Sequence, residues 1–364
     1  MRNSDVLVIG AGVVGAAAAR ALAAAGRKVL VLSRGAGIGE ASPAAAGMLA
    51  AQVESPTGPA LAFACAARAR HAALAAELAA AGLPVDHHAD GIIHVAWDDS
   101  EAGALRATAQ SHRDAGLRAE WLDQDQLRKE VPGIGGEPHG AVAYPDDGRV
   151  DNARLVKALM RDAIRRGARM EFAVADRLIV ESGRLTGAAA SAGIRSAPVV
   201  ILAAGAWSAR LAGLPRSIPV EPVRGQMLRL PWPAAMPQRT LFGSRAYLVP
   251  RGPDALVGST MERAGFDPNT TADGIASLRA AAGAIAPDLA SVPPLEAWAG
   301  LRPMTPDGMP IIGRDPDLEG LVYATGHGRN GILLGPLSGE IAADLALGAE
   351  TRFDAGSYGI GRFA

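Results

Sequence analysis

With a single cysteine, Cys65, among 364 residues, no disulfide framework or thiolate metal site can form within one chain. Its alanine-rich surroundings predict a core position on a helix. No apolar run reaches the roughly 18 residues that a membrane-crossing helix needs. The opening MRNSDVLVIG enters a strand without a basic leader, an apolar segment or a cleavage site, so the cytoplasm is the expected location. Net charge is nearly absent: 36 basic residues stand against 37 acidic ones. That balance leaves no footprint for nucleic acid or an anionic membrane surface, and points to small neutral or zwitterionic partners. Self-association into a homo-oligomer stays open. Among the 7 histidines no metal-ligand spacing or Ser–His–Asp arrangement stands out.

What is present is ample apolar material, 49% of the chain, in a length above the usual single domain of roughly 100 to 200 residues. Two structural units are expected. DVLVIG, the alanine-rich VVGAAAARALAAAG closed by Gly26, and KVLVLS read as strand, helix and strand, a βαβ opening. Helical periodicity runs through ALAFACAARARHAALAAELAAAG. GIIHVAW, EPVRGQMLRL, RAYLVPR and ALVGST then carry strand character suited to an antiparallel sheet. Between these lies the helix DNARLVKALMRDAIRRGA, with Asp151 or Asn152 near its N-cap, and the strand candidates MEFAVA, RLIVE and APVVILAAG. The C-terminal GLVYATGHGRNGILLGPLSGEIAADLALG repeats the strand, glycine-rich turn and helix of the N-terminus.

GAGVVG supplies Gly10, Gly12 and Gly15 between a strand and a helix. The first permits the tight turn, the second lets backbone approach a pyrophosphate, and the third lets helix and strand pack closely; the helix N-terminus attracts the phosphate charge. This placement predicts dinucleotide binding. Where the second strand ends, the carboxylate that commonly grips the adenosine ribose is replaced by Ser33 followed by Arg34. That pair is also compatible with a ribose 2′-phosphate, so an NADP enzyme stands as a rival reading.

ASPAAAGML, from Ala41 to Leu49, offers small residues that let backbone amides lie against a flat ligand. Together with ILAAGAWS, PVRGQML, WAGLRPMTPDGMPIIG and GHGRNGILLGP, in that order and over nearly the whole chain, these motifs resemble the D-amino-acid oxidase superfamily of flavoproteins. The nearest likeness is to the glycine oxidase family, which includes the thiamine biosynthesis enzyme. The resemblance implies an α/β fold: a Rossmann-type FAD-binding domain (residues 1–85, 141–215 and 298–364) interleaved with a smaller α+β substrate-binding domain on an antiparallel sheet (86–140 and 216–297). It implies non-covalent FAD held by Gly10, Gly12, Val14 and Gly15 at the pyrophosphate and by Ser33 and Arg34 at the adenosine. Ala41, Ser42, Ala46, Gly47 and Met48 line the phosphate-to-flavin path, Val174 the adenine, Gly205 another close backbone approach, and His327, Gly328, Arg329, Asn330, Gly331, Ile332 and Leu333 the isoalloxazine. Relatives of the sarcosine-oxidase type tether flavin through a cysteine and set a lysine over it. Here Cys65 is far from the C-terminal motif, and Lys28, Lys129 and Lys157, the only lysines, lie in no matching segment.

Arg302 in GLRPMTPDG is a permanent cation beside apolar residues, which calls for an anion unless it sits on a surface turn. The resemblance assigns it to the carboxylate of a small amino-acid or amine substrate, met by two parallel charge-assisted hydrogen bonds, with Arg329, Tyr247 and Met48 at the same site. Arg245 lies two residues from Tyr247 and would point the same way along a strand, favouring a bulkier amine or one with a second anionic group, unless its long side chain bends to solvent. The expected reaction is hydride transfer from the α-carbon of the neutral amine to flavin, giving an imine that hydrolyses to an oxo acid, with reoxidation by O2 to H2O2. Catalysis then rests on positioning and on the cofactor rather than on a protein base. A dehydrogenase of the same fold using a quinone or other carrier, and a non-catalytic nucleotide-binding protein, are the competing readings.

Overall fold

Val6–Ile9 is apolar and buried at every position, the pattern of a strand covered on both faces. The computed structural model describes residues 4–35, 39–54 and 57–363. In it Val6–Ile9 lies inside a six-stranded sheet. Val29–Ser33 and Arg169–Phe172 follow in parallel on one side, Val199–Leu202 and Leu321–Thr325 on the other, and Ile311–Arg314 closes that edge antiparallel.

The helix Val13–Ala24 leaves the first strand through Gly10–Gly12 and packs along the C-terminal helix Gly331–Leu347. Their approach needs missing side chains. A Cβ at Gly339 would lie 2.5 Å from the Val14 carbonyl oxygen and 2.7 Å from the Ala17 Cβ. The C-terminal helix stops at Gly348, whose φ of +70° supplies the left-handed cap.

The second large sheet has eight strands in the order Glu296–Met304, Glu221–Pro231, Asp254–Gly258, Tyr247–Arg251, Thr240–Phe242, Ile92–Ala96, Gly140–Tyr144 and Glu120–Leu122. All neighbours are antiparallel except Thr240–Phe242, which runs parallel to Ile92–Ala96. The helix Ala272–Ile285 covers one face through Leu278, Ala282 and Ile285 against Leu228, Leu230, Leu248 and Val257. Boundaries drawn at residues 141 and 298 fall inside two of these strands. The chain crosses between the sheets where Gly140–Tyr144 ends and again where Glu296–Met304 ends. The middle block of the sequence also divides: Ala175–Glu181, Arg184–Ala190 and Gly193–Ser196 form a separate three-stranded sheet. Among the described residues no helix is long and apolar enough to cross a membrane.

Candidate active site

A cavity of about 760 Å³ runs from the N-terminus of Val13–Ala24 to the inner face of the eight-stranded sheet. At the end beside this helix N-terminus the backbone geometry depends on glycine. Gly10 has φ +111°, and a Cβ there would lie 2.2 Å from the Ala203 carbonyl oxygen. Gly12 opens the helix in an extended conformation without a side-chain cap of its own, and the Val13 N–H donates instead to Ser42 Oγ at 3.1 Å. Gly15 is not on the cavity wall. Its Cβ would meet the Gly10 carbonyl oxygen at 2.0 Å, so its part is the tight packing of helix on strand. Ser42 is itself held in place, since Asn152 Nδ2 donates to its carbonyl at 2.8 Å.

Ser33 and Arg34 stand on the wall where the second strand ends. Ser33 Oγ accepts the Gly35 N–H at 3.2 Å. Arg34 stacks on the Trp207 indole, its guanidinium carbon 3.7 Å from the ring centroid, with Glu40 3.8 Å away. Val174 also lines this end and is 48% exposed, because the chain leaves its strand at Phe172. Ala41, Ala46, Gly47, Met48 and Gly205 continue the wall towards His327, Gly328, Arg329, Asn330, Gly331 and Ile332. Leu333 sits behind it in the core, its carbonyl receiving His71 Nε2 at 3.0 Å. His327 is buried on the wall with its Nε2 lacking a hydrogen-bond partner among the described residues, and burial pushes its pKa down to about 4. It is neutral at pH 7.

The far end is built by two strands of the large sheet. Arg302 rises from Glu296–Met304, and its guanidinium lies across Gly225 of the neighbouring strand, where a Cβ would come within 2.0 Å of Nη1. Nη1 donates to the Thr260 carbonyl at 3.1 Å and Nη2 to Ser259 Oγ. Among the described residues no carboxylate is within ion-pairing distance of Arg302. Burial lowers its pKa, Arg329 adds repulsion, and Tyr247 and Glu54 act the other way. Tyr247 is buried beside it, its hydroxyl donating to Met227 Sδ at 3.2 Å, with Met48, Phe242 and Trp298 packed around this group. Arg329 Nη2 donates to Glu54 Oε1 at 2.7 Å.

Of the residues expected at the substrate, Arg245 points elsewhere. The strand begins only at Tyr247, so side-chain alternation does not reach back to 245. Arg245 is exposed, off the cavity wall, and lies 3.9 Å over the Trp97 ring. Two wall residues carried no signal in the sequence. Glu54 is one acid in AAQVESPTG without periodic context, and the role of Gly225 depends on cross-strand register.

The family model described as FAD dependent oxidoreductase matches residues 5–345. The chain is 36% identical to glycine oxidase of Geobacillus kaustophilus over 98% of this chain and 97% of that protein. It is 35% identical to glycine oxidase of Pseudomonas aeruginosa over 98% of each. The crystal structure of the G. kaustophilus protein superposes with a TM-score of 0.94 at 34% identity, covering 99% of both chains. Iminodiacetate oxidase from Chelativorans sp. superposes at 0.88 with 28% identity, covering 97% of this chain and 98% of that one.

Proposed function

The chain belongs to the FAD-dependent oxidoreductase family, and from that premise we propose that it oxidatively deaminates a small amino acid or N-substituted glycine whose carboxylate is anchored by Arg302. The cavity fits the cofactor on its own chemistry. Glycine backbone at Gly10 and Gly12, a capped helix N-terminus at Val13, and the buried unpartnered Nε2 of His327 lie along one continuous wall. Gly10, Gly12, Val14 and Ser42 would hold the pyrophosphate, Ser33, Arg34 and Val174 the adenosine, and Gly47, Met48 and His327–Ile332 the flavin ring. Gly15 and Leu333 act from behind, one in helix packing and the other in the core. Cys65 does not line the cavity, which removes a cysteinyl tether; attachment is taken as non-covalent, and acid precipitation should release FAD into the supernatant. Bound FAD would supply a hydride acceptor for the substrate α-carbon and a route for the electrons to dioxygen.

The chain's own contribution is placement. Arg302 presents two parallel donors to a carboxylate and so fixes which hydrogen of the α-carbon points inward. Tyr247, released from its weak contact with Met227, offers a further donor to the same carboxylate, and Met48 closes the pocket over the substrate. Neither wall group at this end is arranged as a base, since His327 is buried and unpaired and Glu54 is bound to Arg329. The substrate amine therefore enters neutral, and the bulk solvent takes its proton. The glycine oxidase relatives favour O2 over a quinone as electron acceptor. A silent nucleotide-binding protein would have no use for a carboxylate-free guanidinium at the flavin end.

That guanidinium is the observation that carries the reading. Anaerobic mixing with glycine, sarcosine and amines without a carboxylate, followed by air, tests it. Bleaching by the acids, with H2O2 on reoxidation, is expected. Arg302→Ala should weaken the acids by about 2 to 5 kcal/mol, because a buried charge loses its partner, and Arg302→Lys should recover part of the loss. Equal losses for acids and plain amines would assign Arg302 to the fold or the cofactor instead.

A further inference from the structure

Two guanidiniums face the substrate end, and among the described residues only one is matched by a carboxylate. Arg329 is bound to Glu54 at 2.7 Å, with the Glu54 side chain 11% exposed. Arg302 has no carboxylate among the described residues. Two cations and one anion leave one net positive charge, which suits a substrate bearing a single carboxylate and a neutral amine. The remaining titratable groups of this wall are His327, which is neutral, and the Tyr247 phenol.

Glu54 is delivered to this point by a built turn. The N–H groups of Ala51, Gln52 and Val53 donate to the fully buried carboxylate of Asp147 at 3.1 to 3.3 Å, and Arg68 pairs with the same carboxylate at 2.5 Å. Arg68 also holds Gln52 Oε1 at 3.0 Å. The short helix Ala51–Glu54 is thus clamped from below, and Glu54 projects to Arg329.

We propose that Glu54 is the specificity-determining residue that restricts the site to amines with one carboxylate, by occupying the guanidinium of Arg329 that would otherwise receive a second anionic group. Specificity here is a difference between two affinities: a second carboxylate must compete with Glu54 for Arg329 and meets its repulsion. Without the Glu54 charge, Arg329 becomes a donor site for N-carboxymethyl substrates. The inference rests on the reading that Arg302 takes the first carboxylate.

The test uses two pairs of compounds that differ by one carboxylate: methoxyacetate and diglycolate, which are unreactive ethers, and sarcosine and iminodiacetate, their amine counterparts. Binding of the ethers to the holoenzyme is read by perturbation of the flavin spectrum, and oxidation of the amines by kcat/KM. Glu54→Gln should shift both ratios towards the dicarboxylate by roughly tenfold or more, the scale of one charge-assisted hydrogen bond. Glu54→Gln combined with Arg329→Gln should abolish the shift. Should Glu54→Gln lose its flavin, Glu54→Ser carries the same comparison. An unchanged ratio in the single variant, or a shift that persists in the double variant, overturns the proposal. Methoxyacetate binding that is indifferent to Arg302→Ala would instead overturn the reading of Arg302, so the two failures are distinguishable.

Discussion

Gly225→Ala is a test of Arg302 that leaves Arg302 in the protein. Gly225 has no positive φ, so alanine brings no backbone strain. Its Cβ would lie 2.0 Å from Arg302 Nη1, 2.2 Å from Nη2 and 2.3 Å from Cζ. An ordinary contact is about 3.5 Å, so the guanidinium must retreat by about 1.5 Å, the difference from 2.0 Å. The clash is with the end of a flexible side chain, which can yield without moving the strand. In yielding it loses the Thr260 carbonyl and Ser259 Oγ. A misplacement of about 1 Å costs on the order of 100-fold in a positioned reaction, or about 2.7 kcal/mol in kcat/KM. Stability should change by no more than about 1 kcal/mol, and FAD content should match the parent. The assay is stopped-flow flavin reduction by sarcosine and by dimethylamine, its carboxylate-free counterpart, with a thermal melt on the same samples. Parent-like reduction by sarcosine in a normally folded Gly225→Ala protein would refute the assignment of the carboxylate to Arg302. So would equal losses with both amines.

Gly10→Ala should fail differently, because its Cβ would strike the immobile Ala203 carbonyl oxygen at 2.2 Å from a φ of +111°. The expected outcome is a protein that loses FAD on gel filtration, read from the ratio of flavin to protein absorbance, and an unchanged ratio would contradict the pyrophosphate assignment. His71 and His327 are both buried and both pushed by burial from 6.5 to about 4, so the unfolded chain binds more protons between those values. Their contribution to stability is complete above pH 6.5 and is lost as pH falls towards 4, with a slope approaching about 1.4 kcal/mol per pH unit for each histidine. Urea unfolding of the parent and of His71→Gln across that range should show the slope reduced by about one proton in the variant. Identical slopes would mean that His71 titrates normally in the folded protein.

The glycine-rich end of the cavity was legible because the strand, turn and helix that build it follow one another in the chain. Strand, glycine turn and helix N-terminus are contiguous in Val6–Ala24, although only Gly15 is demanded by a near neighbour, the Gly10 carbonyl, while Gly10 faces Ala203 and Gly12 faces Ser42. Gly10 and Gly12 lie on the cavity wall, whereas Gly15, also expected at the pyrophosphate, lies behind it where helix packs on strand. The C-terminal turn His327–Ile332 also lies on the cavity wall as one contiguous segment, with Leu333 behind it. Arg34 was legible as a wall residue, whereas its stacking on Trp207 was not, since the two are 173 positions apart and meet only because Val29–Ser33 and Val199–Leu202 flank the same central strand.

The substrate half follows from register, which one sequence does not display. Val223 stands opposite Arg302 and Gly225 opposite Gly300, so a two-residue offset on one strand decides which side chain must be absent for the guanidinium to lie flat. Where the strand starts matters equally. Beginning at Tyr247, it directs that phenol inward and leaves Arg245 to the bend before it, over Trp97. A second cation therefore does reach the pocket, but it is Arg329, and it arrives with its own counterion from a helix clamped by Asp147. Alternation along a strand left three fates for Arg245, a bulkier amine, a second anionic group, or solvent, and the structure turns it out of the pocket. The folded chain supplies the second guanidinium from another segment and sets Glu54 against it, so selectivity for charge depends on an ion pair between residues 275 positions apart.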